Sequence, residues 1–435
     1  MVLGVARDRE LHLEELARSW NGPVSVGGML HWDALALYRS ILDGLRRAGR
    51  HAGKLESVGI DSWGVDFGLL DRDGRLLGNP VHYRDRRTDG VLELVLKQIP
   101  AADLYQRTGI QLLPFNTLYQ LVAATGTAQL DAAARLLLMR DLFGYWLTGR
   151  VGAEVTNAST TQLLSIATGD WDAELMVALG IRRELFPAIR HPGDPAGDLL
   201  PGVPRETELD GPVRVTTVGS HDTASAVVAV PAASERFAFI ASGTWSLVGL
   251  ELEQPVLSEA SRRANFTNER GVDGTVRYLR NVIGLWILQE CIGAFGRADA
   301  CAQGGEPLPE TPAALVRCIL DSLALAHRRT IGAARALTGR DIDVVHLVGG
   351  GVHNHLLCKL TSDALGLSVI AGPPEAAILG SLLVQARAHG ALSGGLSEMR
   401  AVVRASTDSA IYEPSGRRDD WRRAEARIAS RPVGE

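Results

Sequence analysis

Cysteine is scarce: four residues in 435, Cys291, Cys301, Cys318 and Cys358, with no C-x-x-C pair among them. A disulfide framework and a structural zinc site are thereby set aside. No apolar run approaches the ~20 residues of a membrane span, and no basic segment followed by an apolar one opens the sequence. The expected compartment is therefore the cytoplasm. Charge of one sign is not in excess, since the net charge is -5 and the pI about 6.2. Nucleic acid and anionic membranes are thus not expected partners, and an anionic ligand must be held by local groups. No G-x-x-x-x-G-K-[ST] occurs and no G-x-G-x-x-G opens the chain, which argues against a Walker-type nucleotide loop and a dinucleotide fold.

What is present fits a two-domain α/β protein. The chain exceeds the ~250–300 residues at which one core stops growing. Hydrophobic residues at 46% and charged residues at 22% are ordinary for a globular protein. Two strands, 1–6 and 11–16, flank a polar turn. Asp33 caps a helix that Gly49 is placed to end. Residues 58–61 and 65–70 read as a hairpin, and helical patterns dominate from 94 to about 190. The Pro- and Gly-rich stretch 191–204 precedes a short strand, 213–218, and a small-residue helix, 224–230. After Pro231 a second cycle begins: a hairpin of 237–240 and 245–250, a helix from Thr311-Pro312 to about 337 closed by Gly339, and a buried strand, 343–348. Strands flanked by helices, twice over, place the domain boundary at 230/231.

Four groups of residues have chemical potential, each with a plain structural alternative. Gly349-Gly350-Gly351 joins a buried strand to a helix start, where a phosphate or ribose can approach backbone closely; it is equally a tight turn. Ser242-Gly243-Thr244 offers hydroxyls and amides to terminal phosphates, or is an ordinary hairpin. Asp222 follows a strand and starts a helix, suiting a carboxylate that takes a proton from a bound alcohol, or a helix cap. His221 beside it, and Asn281 and Gln289 farther on, are ligand side chains or structural ones.

Taken in order, five strings resemble the FGGY carbohydrate kinases across nearly the whole chain: Asp61-Ser62-Trp63-Gly64-Val65-Asp66-Phe67, Pro114-Phe115-Asn116-Thr117-Leu118-Tyr119-Gln120-Leu121, Thr156-Asn157-Ala158-Ser159-Thr160-Thr161-Gln162-Leu163, Ser220-His221-Asp222-Thr223-Ala224-Ser225-Ala226-Val227 and Ser242-Gly243-Thr244-Trp245-Ser246-Leu247. The resemblance implies an actin-like pair of ribonuclease-H-like domains, with residues 1–230 taking the sugar and 231–435 the nucleotide. It implies ATP and Mg²⁺ as cofactors and a ketose, L-rhamnulose foremost, as acceptor. Asp222 would be the catalytic base, with Gly64, His221, Thr223 and Asn281 around the sugar and Thr244, Gln289 and Gly350 around ATP; no metal ligand is assigned.

The chain also departs from that family. Its members begin with a strand and a D-L-G-A-x-S-G-R-type phosphate loop, and Met1-Val2-Leu3-Gly4 look like the residues just after it, so the first domain is expected to lack its first strand. Relatives carry several dozen more residues after Phe295-Gly296-Arg297. Arg140 replaces an expected proline, and Ser381 an expected asparagine. A catalytically silent sugar-binding protein, and a kinase for another ketose or polyol, stand as alternatives.

Overall fold

A computed structural model describes residues 1–7, 10–286, 288, 291, 311–416 and 418–429. It divides into two compact units, the first made of Met1–Ala229, Leu252–Arg277 and Ala377–Ser406, the second of Val230–Glu251, Tyr278–Ala376 and Thr407–Glu435. After Ala229 the chain therefore returns to the first unit twice.

The first unit opens on an antiparallel hairpin, Val2–Arg7 with Glu10–Glu15, within a residue of the expected bounds. The helix Ala34–Ala52 starts where Asp33 accepts a hydrogen bond from the Ala36 amide at 3.0 Å. Gly49 does not end it. Gly53, at φ 68°, is the cap, and its amide donates to the Gly49 carbonyl at 2.7 Å. Glycine is needed at 49 for a different reason: a Cβ there would lie 2.5 Å from the Thr207 carbonyl oxygen and 2.6 Å from that of Glu208.

The expected hairpin of 58–61 with 65–70 does not form. Ser57–Gly59 runs parallel to Arg214–Thr216, whereas Phe67–Leu70 pairs antiparallel with Arg135–Leu138. Between them Val65 sits at φ 68°, in the left-handed region that β-branched residues avoid. Further along, the turn 71–74 brings Leu76 back onto Leu70 as expected. Leu104, Leu118, Leu136 and Leu163 lie in this unit's core, all at most 1% exposed. Each such side chain contributes about 1.5–3 kcal/mol by leaving water.

In the second unit the strands take the order Val276–Ile283, Trp245–Leu252, Phe237–Ser242, Val344–Val348, Ser368–Ala371, Ala410–Tyr412. Phe237–Ser242 and Trp245–Leu252 are the expected hairpin, ending at the pair Ser242 and Ser246. Phe237–Ser242, Val344–Val348 and Ser368–Ala371 run parallel to one another. Parallel strands need crossovers, and the helix His355–Leu365 supplies the second. The long helix Pro312–Thr338 begins at Thr311, whose Oγ1 accepts from the Ala314 amide, and stops at Gly339, φ 67°. It packs Leu320, Leu323 and Ala324 against Leu357 and Leu360. None of the described helices is long and apolar enough to cross a membrane.

Candidate active site

In the first unit, three of the five strings build one loop. Residues 62–66 are held from two sides. The Val65 amide donates to Thr160 Oγ1 at 3.2 Å, and Thr117 Oγ1 donates to the Val65 carbonyl at 2.6 Å. These bonds oppose the strain of the positive φ at Val65. Gly64 lies beneath the same threonine, so a Cβ on it would meet Thr160 Oγ1 at 2.8 Å. Asp66, fully buried, accepts from Trp32 Nε1 at 2.6 Å, Trp63 Nε1 at 3.1 Å, the Tyr83 amide at 3.2 Å and Gln120 Nε2 at 3.0 Å. Burial pushes its carboxyl up to about 6, although all four donors pull it down. Trp63, Trp32, His82 and Tyr83 continue as neighbouring rings 4.1, 4.3 and 4.5 Å apart.

The loop is joined to the fourth string. The Ser62 amide donates to the Ser220 carbonyl at 2.9 Å, and the Asp222 amide to the Ser62 carbonyl at 3.0 Å. Glu154, with no exposed surface, anchors that junction by accepting from the Ser220 amide and hydroxyl and from Thr156 Oγ1. Thr156 Oγ1 in turn accepts from the His221 amide at 3.2 Å. The small-residue helix begins at Asp222, two residues earlier than expected, and ends at Val228. Asp222 Oδ1 accepts from the Thr223 amide at 2.6 Å and lies 3.1 Å from Thr223 Oγ1. Its side chain is 54% exposed, and Oδ2 makes no hydrogen bond among the described residues. An open carboxylate oxygen on a fixed helix end is suited to accept a proton from an alcohol.

His221 is nearly enclosed, with 11% of its side chain exposed. Its Nδ1 lies 2.9 Å from Arg277 Nη1 and 3.3 Å from Glu269 Oε2. Its Nε2 lies 3.6 Å from Asp222 Oδ1. Arg277 has no exposed surface and pairs with Glu269 at 3.0 Å. Burial lowers the Arg277 pKa, opposed by the charges of Glu269, Glu154 and Asp222. Burial would raise that of Glu269, but the charge of Arg277 beside it pulls the other way, and the carboxyl is held below its ordinary value.

Asp61, at the start of the loop, has a buried Oδ2 without a hydrogen-bond partner among the described residues. Burial, then the charge of Asp222, push it up to about 7, opposed in part by Arg140. Arg140 is itself buried, donates to the Ile60 carbonyl at 3.3 Å and pairs with Asp141 at 3.1 Å.

The second unit brings two of the expected loops together. The parallel pairing of Phe237–Ser242 with Val344–Val348 sets the Ser242-Gly243-Thr244 turn beside Gly349-Gly350-Gly351. Gly349, φ 85°, and Gly351 pack so closely on Ser242 that neither tolerates a side chain. Gly243, Thr244 and Gly350 are exposed, and a Cβ on Gly243 or Gly350 would meet nothing within 4 Å among the described residues. Backbone open to solvent at the carboxyl ends of parallel strands is where ligands approach α/β sheets. Asn281 lies in Val276–Ile283, and beyond it the Leu285 and Trp286 amides donate to the Gly243 and Thr244 carbonyls. Gln289 lies outside the described residues.

Glu154, Glu269 and Arg277 escape a reading of the sequence, and Asp61, which opens the first string, gains no individual role from it. Only Glu154 carries a local sign, as the cap of Val155–Ala158. Among the described residues no group of three or more His, Cys, Asp or Glu is arranged to hold a metal.

Comparison with known proteins adds a family. The model of the FGGY family of carbohydrate kinases, N-terminal domain, matches residues 24–229, and that of its C-terminal domain matches 238–308 and 300–389. The rhamnulokinase of Bacteroides thetaiotaomicron is 38% identical over 452 aligned positions, covering 95% of this chain and 93% of that protein. The rhamnulokinase of an Enterobacter species is also 38% identical, covering 93% of this chain and 90% of that protein. Among solved structures, the gluconate kinase from Lactobacillus acidophilus gives a TM-score of 0.80 at 15% identity, covering 96% of this chain and 92% of its own. The xylulose kinase from Rhodospirillum rubrum gives 0.80 at 15%, covering 99% and 95%. At that identity the likeness speaks for the fold alone, the expected two-domain, actin-like α/β fold of sugar kinases.

Proposed function

The chain belongs to the FGGY family of carbohydrate kinases, and from that premise we propose that it transfers the γ-phosphoryl group of ATP to O1 of L-rhamnulose. The acceptor follows from the two rhamnulokinases that are 38% identical over nearly the full chain. The observation that carries the chemistry is Asp222: a half-exposed carboxylate fixed at a helix start, with one oxygen bonded to Thr223 and the other open. In the transfer, O1 forms a bond to the γ-phosphorus, the bridging oxygen leaves with ADP, and the O1 proton passes to Asp222. Phosphoryl transfer asks mainly for in-line positioning and charge stabilisation, so one carboxylate base is enough.

His221, Thr223, Gly64 and Asn281 surround the sugar in this reading; Thr244, Gly350 and Gln289 receive ATP. In this reading most sugar contacts come from residues 1–230 and the ATP contacts from 231–435. Mg²⁺ would accompany ATP and neutralise phosphate charge. Such an ion needs one or two carboxylates beside phosphate oxygens, and Asp61, whose Oδ2 has no partner among the described residues, is of the type that would hold it. The cytoplasm, where ATP is abundant, is the proposed compartment.

A coupled assay of ADP release tests the reading with L-rhamnulose, D-xylulose and glycerol. L-Rhamnulose is expected to be turned over well ahead of the others. Preference for glycerol overturns the substrate, and sugar binding without ADP release overturns the enzyme.

A further inference from the structure

Arginine is protonated at any pH a folded protein meets, and its guanidinium only donates hydrogen bonds. Arg277 Nη1 lies 2.9 Å from His221 Nδ1. That ring nitrogen must therefore be the acceptor, with its lone pair toward the guanidinium and no proton of its own. A proton on Nδ1 would set two N–H groups against each other in a buried place. Glu269 Oε2 is farther from Nδ1, at 3.3 Å, and among the described residues meets no donor in hydrogen-bonding geometry. Its part is to balance the charge of Arg277, which has no exposed surface. The guanidinium is aimed by its other bonds, Nε to the Arg270 carbonyl at 3.0 Å and Nη2 to that of Thr156 at 3.4 Å.

We propose that Arg277, balanced by Glu269, is a positioning residue that fixes His221 as the neutral tautomer with its proton on Nε2, ready to donate to a sugar hydroxyl oxygen beside Asp222. The Nε2 to Asp222 Oδ1 separation of 3.6 Å is too long for a direct hydrogen bond. A hydroxyl that takes the Nε2 hydrogen and gives its own to the carboxylate would join the two. The division of labour follows: the imidazole donates and Asp222 accepts. The sugar in this inference rests on the kinase reading, whereas the tautomer does not.

The test is nitrogen NMR on the full chain with ¹⁵N-labelled histidine, His221 being assigned by the signals lost in His221→Asn. An unprotonated Nδ1 and a protonated Nε2 are expected; a protonated Nδ1, or averaging between tautomers, overturns the proposal. In Arg277→Met both tautomers should appear, and KM for L-rhamnulose should rise about 10-fold, the equivalent of about 1.4 kcal/mol. KM for ATP should hold, and Arg277→Lys, which keeps a donor, should restore part of the loss. Equal damage to both KM values marks a purely structural role and overturns positioning. Should Arg277→Met fail to fold, the wild-type ring signals decide alone. If wild type releases no ADP with any sugar, the kinase reading fails while those signals still report on the tautomer.

Discussion

Ser62 and His221 face each other in a parallel bridge, so the loop carrying Gly64 and the helix start carrying Asp222 are joined through backbone. Side-chain substitutions at Asp222 leave that bridge in place. Asp222→Asn keeps an oxygen for the Thr223 amide and removes only the basic carboxylate. We expect kcat to fall at least ~10²-fold, the usual scale for loss of a general base. Calorimetric titration should show sugar affinity largely retained, and near-normal turnover would place the base elsewhere.

Gly64→Ala should be damaging out of proportion to its size. The added methyl meets Thr160 Oγ1 at 2.8 Å and its Cβ at 3.2 Å, and Thr160 is buried and bonded to the loop. Overpacking of this kind typically costs about 1–3 kcal/mol. Combining it with Thr160→Ala should recover part of that loss in denaturant melts, giving a non-additive cycle. Simple additivity would mean the two sites do not touch.

Asp66 gives a pH signature. Its folded pKa is raised from 3.8 to about 6, so its contribution to stability is fully present below pH 3.8 and is lost as pH rises through about 6. Asp66→Asn removes this titration while retaining an acceptor oxygen for the indoles. Between pH 4 and 6 the Tm of wild type should therefore fall relative to that of the variant. Parallel Tm curves would show that burial does not perturb Asp66.

Gly350→Val separates ligand contact from folding. Among the described residues no atom lies within 4 Å of the Cβ position, so they leave room for a side chain. An unchanged Tm with KM for ATP raised about 10-fold is expected, a loss of roughly 1.4 kcal/mol. An unchanged KM would remove Gly350 from the nucleotide site.

Signals carried by neighbouring residues could be read without coordinates. Asp33, Thr311 and Gly339 cap their helices as expected, and Ser242-Gly243-Thr244 turns its hairpin. Gly49 misleads because a glycine required by a passing backbone looks, in a sequence, like one that ends a helix. A hairpin of 58–61 with 65–70 suggests itself because the segments are adjacent, whereas the strands 57–59 and 67–70 find their partners far away, at 214–216 and 135–138. Glu269 and Arg277 are illegible for the same reason: their importance comes from His221, some fifty residues away in sequence.

The return of Leu252–Arg277 to the first unit limits how the gene can be dissected. A fragment cut at the 230/231 boundary would keep Asp222 and His221 and discard Glu269 and Arg277. Its imidazole would lose its buried arginine, and the amide at Asn268, which donates to the Gly109 carbonyl at 2.8 Å, would be gone with the strand that holds it. Recombining halves of two such genes at that boundary would likewise pair a histidine from one parent with an arginine from the other. If Arg277 positions His221 as proposed, exchange of sugar preference between relatives is expected to need residues 252–277 to travel with the N-terminal part.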